Sequence, residues 1–122
     1  AAVLIGDPNG GTAAAAIHAV VGRRVRMIVP AGLEKRVADD VADIAAILNA
    51  PGSQGPRMLT LPGEVFTELD AITLLTGASA RLVASGGVCG AEGACWIAVT
   101  GSQEQISAAE ELIKSVAEEP PW

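Results

Sequence analysis

Residues 1–30, AAVLIGDPNGGTAAAAIHAVVGRRVRMIVP, decide the fold class. Ala2–Ile5 is a short apolar run, and Gly6-Asp7-Pro8-Asn9-Gly10-Gly11 after it is made of residues that punctuate regular structure. Thr12 carries a hydroxyl suited to a helix N-cap. Ala13–Val21 is an alanine-rich helical stretch, and Gly22 closes it. Val25–Val29 is continuously apolar and stops at Pro30, the pattern of a buried strand. Strand, loop, helix and strand in that order form the unit that joins parallel strands.

The same alternation continues along the chain. Leu33, Val37, Val41, Ile44 and Leu48 recur at spacings of three and four, which predicts a helix ended by Asn49-Ala50-Pro51-Gly52. Met58–Leu61 reads as a strand. Glu64–Thr76 reads as a helix with Val65, Leu69, Ile72 and Leu75 or Thr76 on one face. Arg81–Ala84 and Ala94–Thr100 are further strands. Ser85–Gly93 between them is too short for a crossover helix, so the pair is antiparallel. Ser102 and Gln105 make a capping box for a last helix, whose buried stripe is Ile106, Ala109, Leu112, Ile113 and Val116. The expected architecture is α/β, in the order β-α-β-α-β-α-β-β-α, with helices packed on a small mixed sheet. It reads as a single domain over residues 1–122, with halves at 1–55 and 56–117 and a tail at 118–122.

Half of the residues are hydrophobic and only 2% are aromatic, namely Phe66, Trp96 and Trp122. The core is therefore built from small aliphatic side chains. An apolar surplus on so small a body implies association, and a homo-oligomer is expected. Net charge is −6, with basic residues grouped only at Arg23, Arg24 and Arg26, so phosphate backbones are repelled and no nucleic-acid partner is expected. Those arginines read as the solvated start of a strand. No apolar run reaches the ~18–20 residues of a membrane helix, which argues against a membrane partner. Ala1–Ile5 lacks the charged segment and long apolar region of a signal peptide. Two cysteines do not make a disulfide framework, and a reducing, cytoplasmic setting is expected.

Two segments are candidate sites. Gly6, Asp7, Asn9, Gly10, Gly11 and Thr12 lie between a strand and a helix. There, free N–H groups and the helix dipole suit a small anionic ligand such as a phosphate or carboxylate. The loop lacks the lysine of a phosphate-binding Walker loop and the spacing of a dinucleotide fingerprint, and a tight turn needs glycine anyway. Gly86, Gly87, Cys89, Gly90, Ala91, Glu92 and Gly93, followed by Trp96, form a hairpin richer in glycine than a turn requires. The excess suggests close backbone approach to a ligand or to a second chain, with Trp96 as an interface anchor. Cys89 and Cys95 have the placement for a cross-hairpin redox or ligand pair. Nothing nearby activates a thiol, so buried or inert cysteines are the plainer expectation. His18 reads as a partly exposed helix residue. Glu64 and Glu68, one turn apart with Asp70 near, read as ordinary partners of a helix start.

From Leu59 to Val116 the order of pieces resembles the bacterial microcompartment shell domain. The pieces are Leu59–Leu61, Gly63, Val65–Thr76, Arg81-Leu82-Val83, the turn Gly86–Gly93, Ile97-Ala98-Val99-Thr100-Gly101 and Ile106–Val116. The resemblance implies a cyclic oligomer with Gly90, Ala91, Glu92 and Gly93 at the symmetry axis. The family's edge lysine has no counterpart in Leu74-Leu75-Thr76-Gly77-Ala78, its closing strand is absent, and Ala1–Gly55 lies outside the match. Ferredoxin-like regulatory domains share much of the pattern. The expected function is a non-catalytic oligomeric binding or assembly module. The alternative is an enzyme or enzyme subunit holding an anionic metabolite at Gly6–Thr12.

Overall fold

The computed structural model describes residues 1–120, in which six strands, four α-helices and one 3₁₀ turn occur. Strand β1 (Ala2–Ile5) is followed by helix α1 (Gly11–Val20) and strand β2 (Ile28–Pro30). A 3₁₀ turn at Leu33–Lys35 precedes α2 (Val41–Asn49), β3 (Arg57–Thr60) and β4 (Glu64–Phe66). Helix α3 (Glu68–Thr76), the strands β5 (Ser79–Ser85) and β6 (Cys95–Thr100), and α4 (Gln103–Val116) complete the order. The class is α/β, with helices packed against strands.

Sheet organisation departs from the expected single mixed sheet: the described residues form three two-stranded sheets, β1–β3, β2–β4 and β5–β6. β1 does not pair with β2 in parallel. It runs antiparallel to β3, with Val3 opposite Leu59 and Leu4 opposite Met58. Asn49 at the end of α2 supports that choice. Its side chain accepts the Met58 N–H at 3.0 Å and donates to the Met58 carbonyl at 2.8 Å, tying β3 to the preceding helix. β2 pairs with β4 because Gly63 permits close approach: a Cβ there would stand 2.5 Å from Val29 Cγ2. The Glu64 N–H donates to the Met27 carbonyl at 2.9 Å beside it.

Two predicted helices are shorter than their periodicity suggested. The 33–48 stretch breaks, because the Asp40 side chain captures the Ala42 N–H at 2.7 Å and starts a new helix at Val41. Val37 is left exposed. The 64–76 stretch begins its helix only at Glu68, since Glu64–Phe66 is taken by β2. Glu64 and Glu68 therefore do not share a helix face. Glu64 instead pairs with Arg26 at 2.6 Å, while Glu68 accepts the Leu33 N–H at 3.1 Å. At the start of α3, Thr67 donates its hydroxyl and its N–H to Asp70 at 2.7 and 2.8 Å, which hold that carboxyl below its ordinary range.

The chain divides into two compact units. One is Ala1–Ala31 with Arg36–Val65, and the other is Gly32–Lys35 with residues 66–120. The division falls ten residues beyond the expected boundary at Gly55, because β3 and β4 find their partners in β1 and β2. In the second unit Ile72, Ala78 and Ala109 are buried, with Ala80, Ile97 and Val99 packed around them. The capping box is present: Ser102 Oγ accepts the Gln105 N–H at 3.2 Å, and Gln105 Oε1 accepts the Ser102 N–H at 2.8 Å. Gln105 also donates to the Gly77 carbonyl at 3.0 Å, joining the start of α4 to the end of α3. Of the expected α4 stripe, Ala109 is buried and Leu112 half-buried, while Ile106, Ile113 and Val116 stay exposed.

Candidate functional site

The Gly6–Thr12 loop folds around its own carboxylate. Asp7 Oδ1 accepts the Asn9 N–H at 2.7 Å, and the Asp7 carbonyl accepts the Gly10 N–H at 2.9 Å. Gly10, at φ +81°, is the N-cap in place of the expected Thr12, and Gly11 has φ +56°. A Cβ on Gly10 would stand 2.6 Å from that of Ala14, so both backbone angle and space demand glycine there. A cavity of about 200 Å³ is bounded by Gly6, Asp7, Gly10, Gly11, Thr12 and neighbouring β1 residues. That is smaller than the ~300 Å³ at which small-molecule sites begin. The first-turn N–H groups of Gly11, Thr12 and Ala13 have no acceptor within the helix. Asp7 Oδ2 lies 4.0 Å from where a Gly11 Cβ would stand, so a negative charge already occupies the approach an anion would use. The geometry is that of an Asx turn starting a helix.

The second segment has a different character. β5 and β6 run antiparallel, Leu82 opposite Ile97 and Ala84 opposite Trp96, with a bulge between Leu82 and Ala84. The bulge places Val83 and Ala84 together against Trp96. Leu82, Ile97 and Val99 turn inward, while Val83 is 63% exposed and Trp96 66%. Val88 in the turn is 80% exposed. Val83 and Val88 escaped the sequence reading. The consecutive apolar pair Leu82-Val83, which breaks strict alternation, was the only signal for the first of them.

The turn closes through the Gly86 N–H donating to the Ala94 carbonyl at 2.8 Å and the Ala94 N–H donating to that of Ala91 at 3.0 Å. Glu92 folds back to accept the Gly90 N–H at 3.3 Å. Gly86 and Gly90 have φ of +92° and +97°, so turn geometry accounts for them. Gly87 faces the Ala91 carbonyl and Cβ, so packing inside the turn accounts for it. Gly93 alone has ordinary φ and open space around it. Cys89 also has positive φ, at +57°, and is exposed, while Cys95 is half-buried. Both are free thiols, and the turn places Cys89 in solvent rather than in a buried setting.

His18 is exposed on α1, and Arg23 and Arg24 are exposed ahead of β2. No helix among the described residues is long and apolar enough to cross a membrane. Comparison with protein-family models, with curated proteins and with solved structures gives no match.

Proposed function

We propose that this chain is a non-catalytic, homo-oligomeric assembly or binding module whose β5–β6 hairpin lies at a subunit interface. The observation that carries this reading is the solvent exposure of three apolar residues, Val83, Val88 and Trp96, on one hairpin. Its surface area supports the same reading. The accessible surface is 9172 Å², whereas one compact body of 12.3 kDa would expose roughly 6,100 Å². Two separate compact bodies of half that mass would expose roughly 7,300 Å² together. The remaining surface of about 1,800 Å² is spread along a chain in which, among the described residues, only Leu33, Ala45, Ile72, Ala78 and Ala109 are buried. The resemblance to shell domains points the same way, toward association of copies of this chain.

An anionic metabolite at Gly6–Thr12 is the weaker reading, because Asp7 already bonds into that loop. Sedimentation at micromolar concentration tests the assembly reading. A species of defined multiple mass is expected, and a clean monomer of 12.3 kDa at 100 μM overturns it.

A further inference from the structure

Every sheet among the described residues has two strands, so each strand leaves one edge of N–H and C=O groups unpaired. Strand length, charge, proline and bulges protect such edges. β2 and β4 have only three residues each, with Pro30 in one and Glu64 in the other. β1 and β3 have four each, and β3 carries Arg57. β5 has seven, but Arg81 and the bulge at Val83 guard it. β6, Cys-Trp-Ile-Ala-Val-Thr, has six residues with no charge, proline, glycine or bulge. It is the longest unguarded edge among the described strands, in a hairpin whose inner face packs against α3 and α4 while this outer edge has no strand partner.

We infer that β6 pairs edge to edge with β6 of a second copy of this chain, making a four-stranded sheet β5–β6–β6–β5 across a two-fold axis. This rests on the assembly reading and specifies its geometry. The occupant is a second copy because an uncharged strand meets itself antiparallel without opposing like charges, which Arg81 would bring about at the β5 edge. Inward residues must stay inward across the joint, since a slip of one residue would turn Ile97 and Val99 to solvent. Of the registers that keep this parity, the proposed one sets Ile97 of one copy opposite Val99 of the other, with Ala98 opposite Ala98 at the axis. Trp96 then stands on the outer face of the continuous sheet, beside the joint.

Cross-linking and charge insertion in the full chain test this. In a Cys89→Ser, Cys95→Ala background, Ala98→Cys should form a covalent dimer on mild oxidation. Paired strands bring the two Cα atoms to about 4.5–5.5 Å, within disulfide reach. Ala84→Cys in the same background should not cross-link, because β5 and its copy lie three strand spacings apart, about 14 Å. Ala98→Lys should raise the dissociation constant at least tenfold. If the wild type assembles while A98C fails to cross-link or A84C cross-links equally, edge pairing is overturned and assembly through another face stands. A monomeric wild type overturns both. Where A98K loses its fold, seen by circular dichroism, the cross-link decides alone.

Discussion

Two segments of this chain are rich in glycine, and they use it differently. Around Gly6–Thr12 the loop closes on itself: Ala14 fills the space over Gly10, and Asp7 accepts the Asn9 and Gly10 N–H groups. Around Gly86–Gly93 the glycines shape a turn whose outer face is open and whose flanks expose Val83, Val88 and Trp96. The first segment satisfies itself, while the second ends in apolar surface that nothing in its own unit covers. Glycine content therefore marks both segments alike, and the apolar surface left exposed beside the second tells them apart.

The contrast is most exposed to failure at Gly10. Alanine there must adopt φ near +81° and push aside Ala14. Left-handed backbone costs a non-glycine residue about 1–3 kcal/mol, and the clash puts the expected loss near the top of that range. Thermal unfolding should show a Tm lowered by more than about 10 °C. A Gly10→Ala protein with unchanged Tm would mean that the helix start is looser than its geometry, and the self-filled account of the first loop would fail.

Trp96→Ala probes the other side of the comparison. Its indole is mostly in solvent, so unit stability should change little. Interface anchors of this type cost about 2 kcal/mol or more when truncated, so the dissociation constant of the assembly should rise roughly 30-fold. Equal assembly in wild type and variant, measured by sedimentation across a dilution series, would remove the hairpin from the interface.

Local signals were the legible part of this molecule. The Ser102–Gln105 capping box needs only residues three apart, and it formed as read. The β5–β6 hairpin followed from a short connection between two apolar runs. What the sequence hid depends on distant partners. Glu64 fits a helix by spacing, yet Met27 and Arg26, nearly forty residues earlier, draw it into a strand and an ion pair. β1 resembles the first strand of a parallel unit until Arg57–Thr60 is available to pair with it. At the hairpin the glycines were visible, but the bulge after Leu82, which leaves Ala84 facing out beside Val83, is created by strand register alone.

Gly93→Ala sharpens the comparison with a smaller change. Among the hairpin glycines it alone has ordinary φ and free space, so stability should stay within about 0.5 kcal/mol of wild type. Gly90→Ala is a poorer probe, because its φ of +97° adds strain unrelated to association. If a neighbouring chain approaches Gly93, the added methyl weakens assembly while Tm holds. Unchanged assembly would confine the interface to Trp96 and the strand edge, away from the turn.

The smallest expected effect is none at all, and it tests the first loop directly. A ligand at one hundred times its dissociation constant stabilises a protein by about 2.7 kcal/mol, roughly 10 °C in Tm at this size. Inorganic phosphate at 10 mM should leave the wild-type Tm unchanged within about 1 °C, because the carboxylate that holds the Asn9 N–H also stands beside Gly11. Asp7→Asn keeps an acceptor for Asn9 and removes the charge. A phosphate shift seen only in that variant would locate the repulsion at Asp7 and leave the N–H groups of the helix start as a latent anion site. A shift in the wild type would reverse the reading, since it requires the loop to exchange its own carboxylate for an external anion and makes Gly6–Thr12 the ligand site.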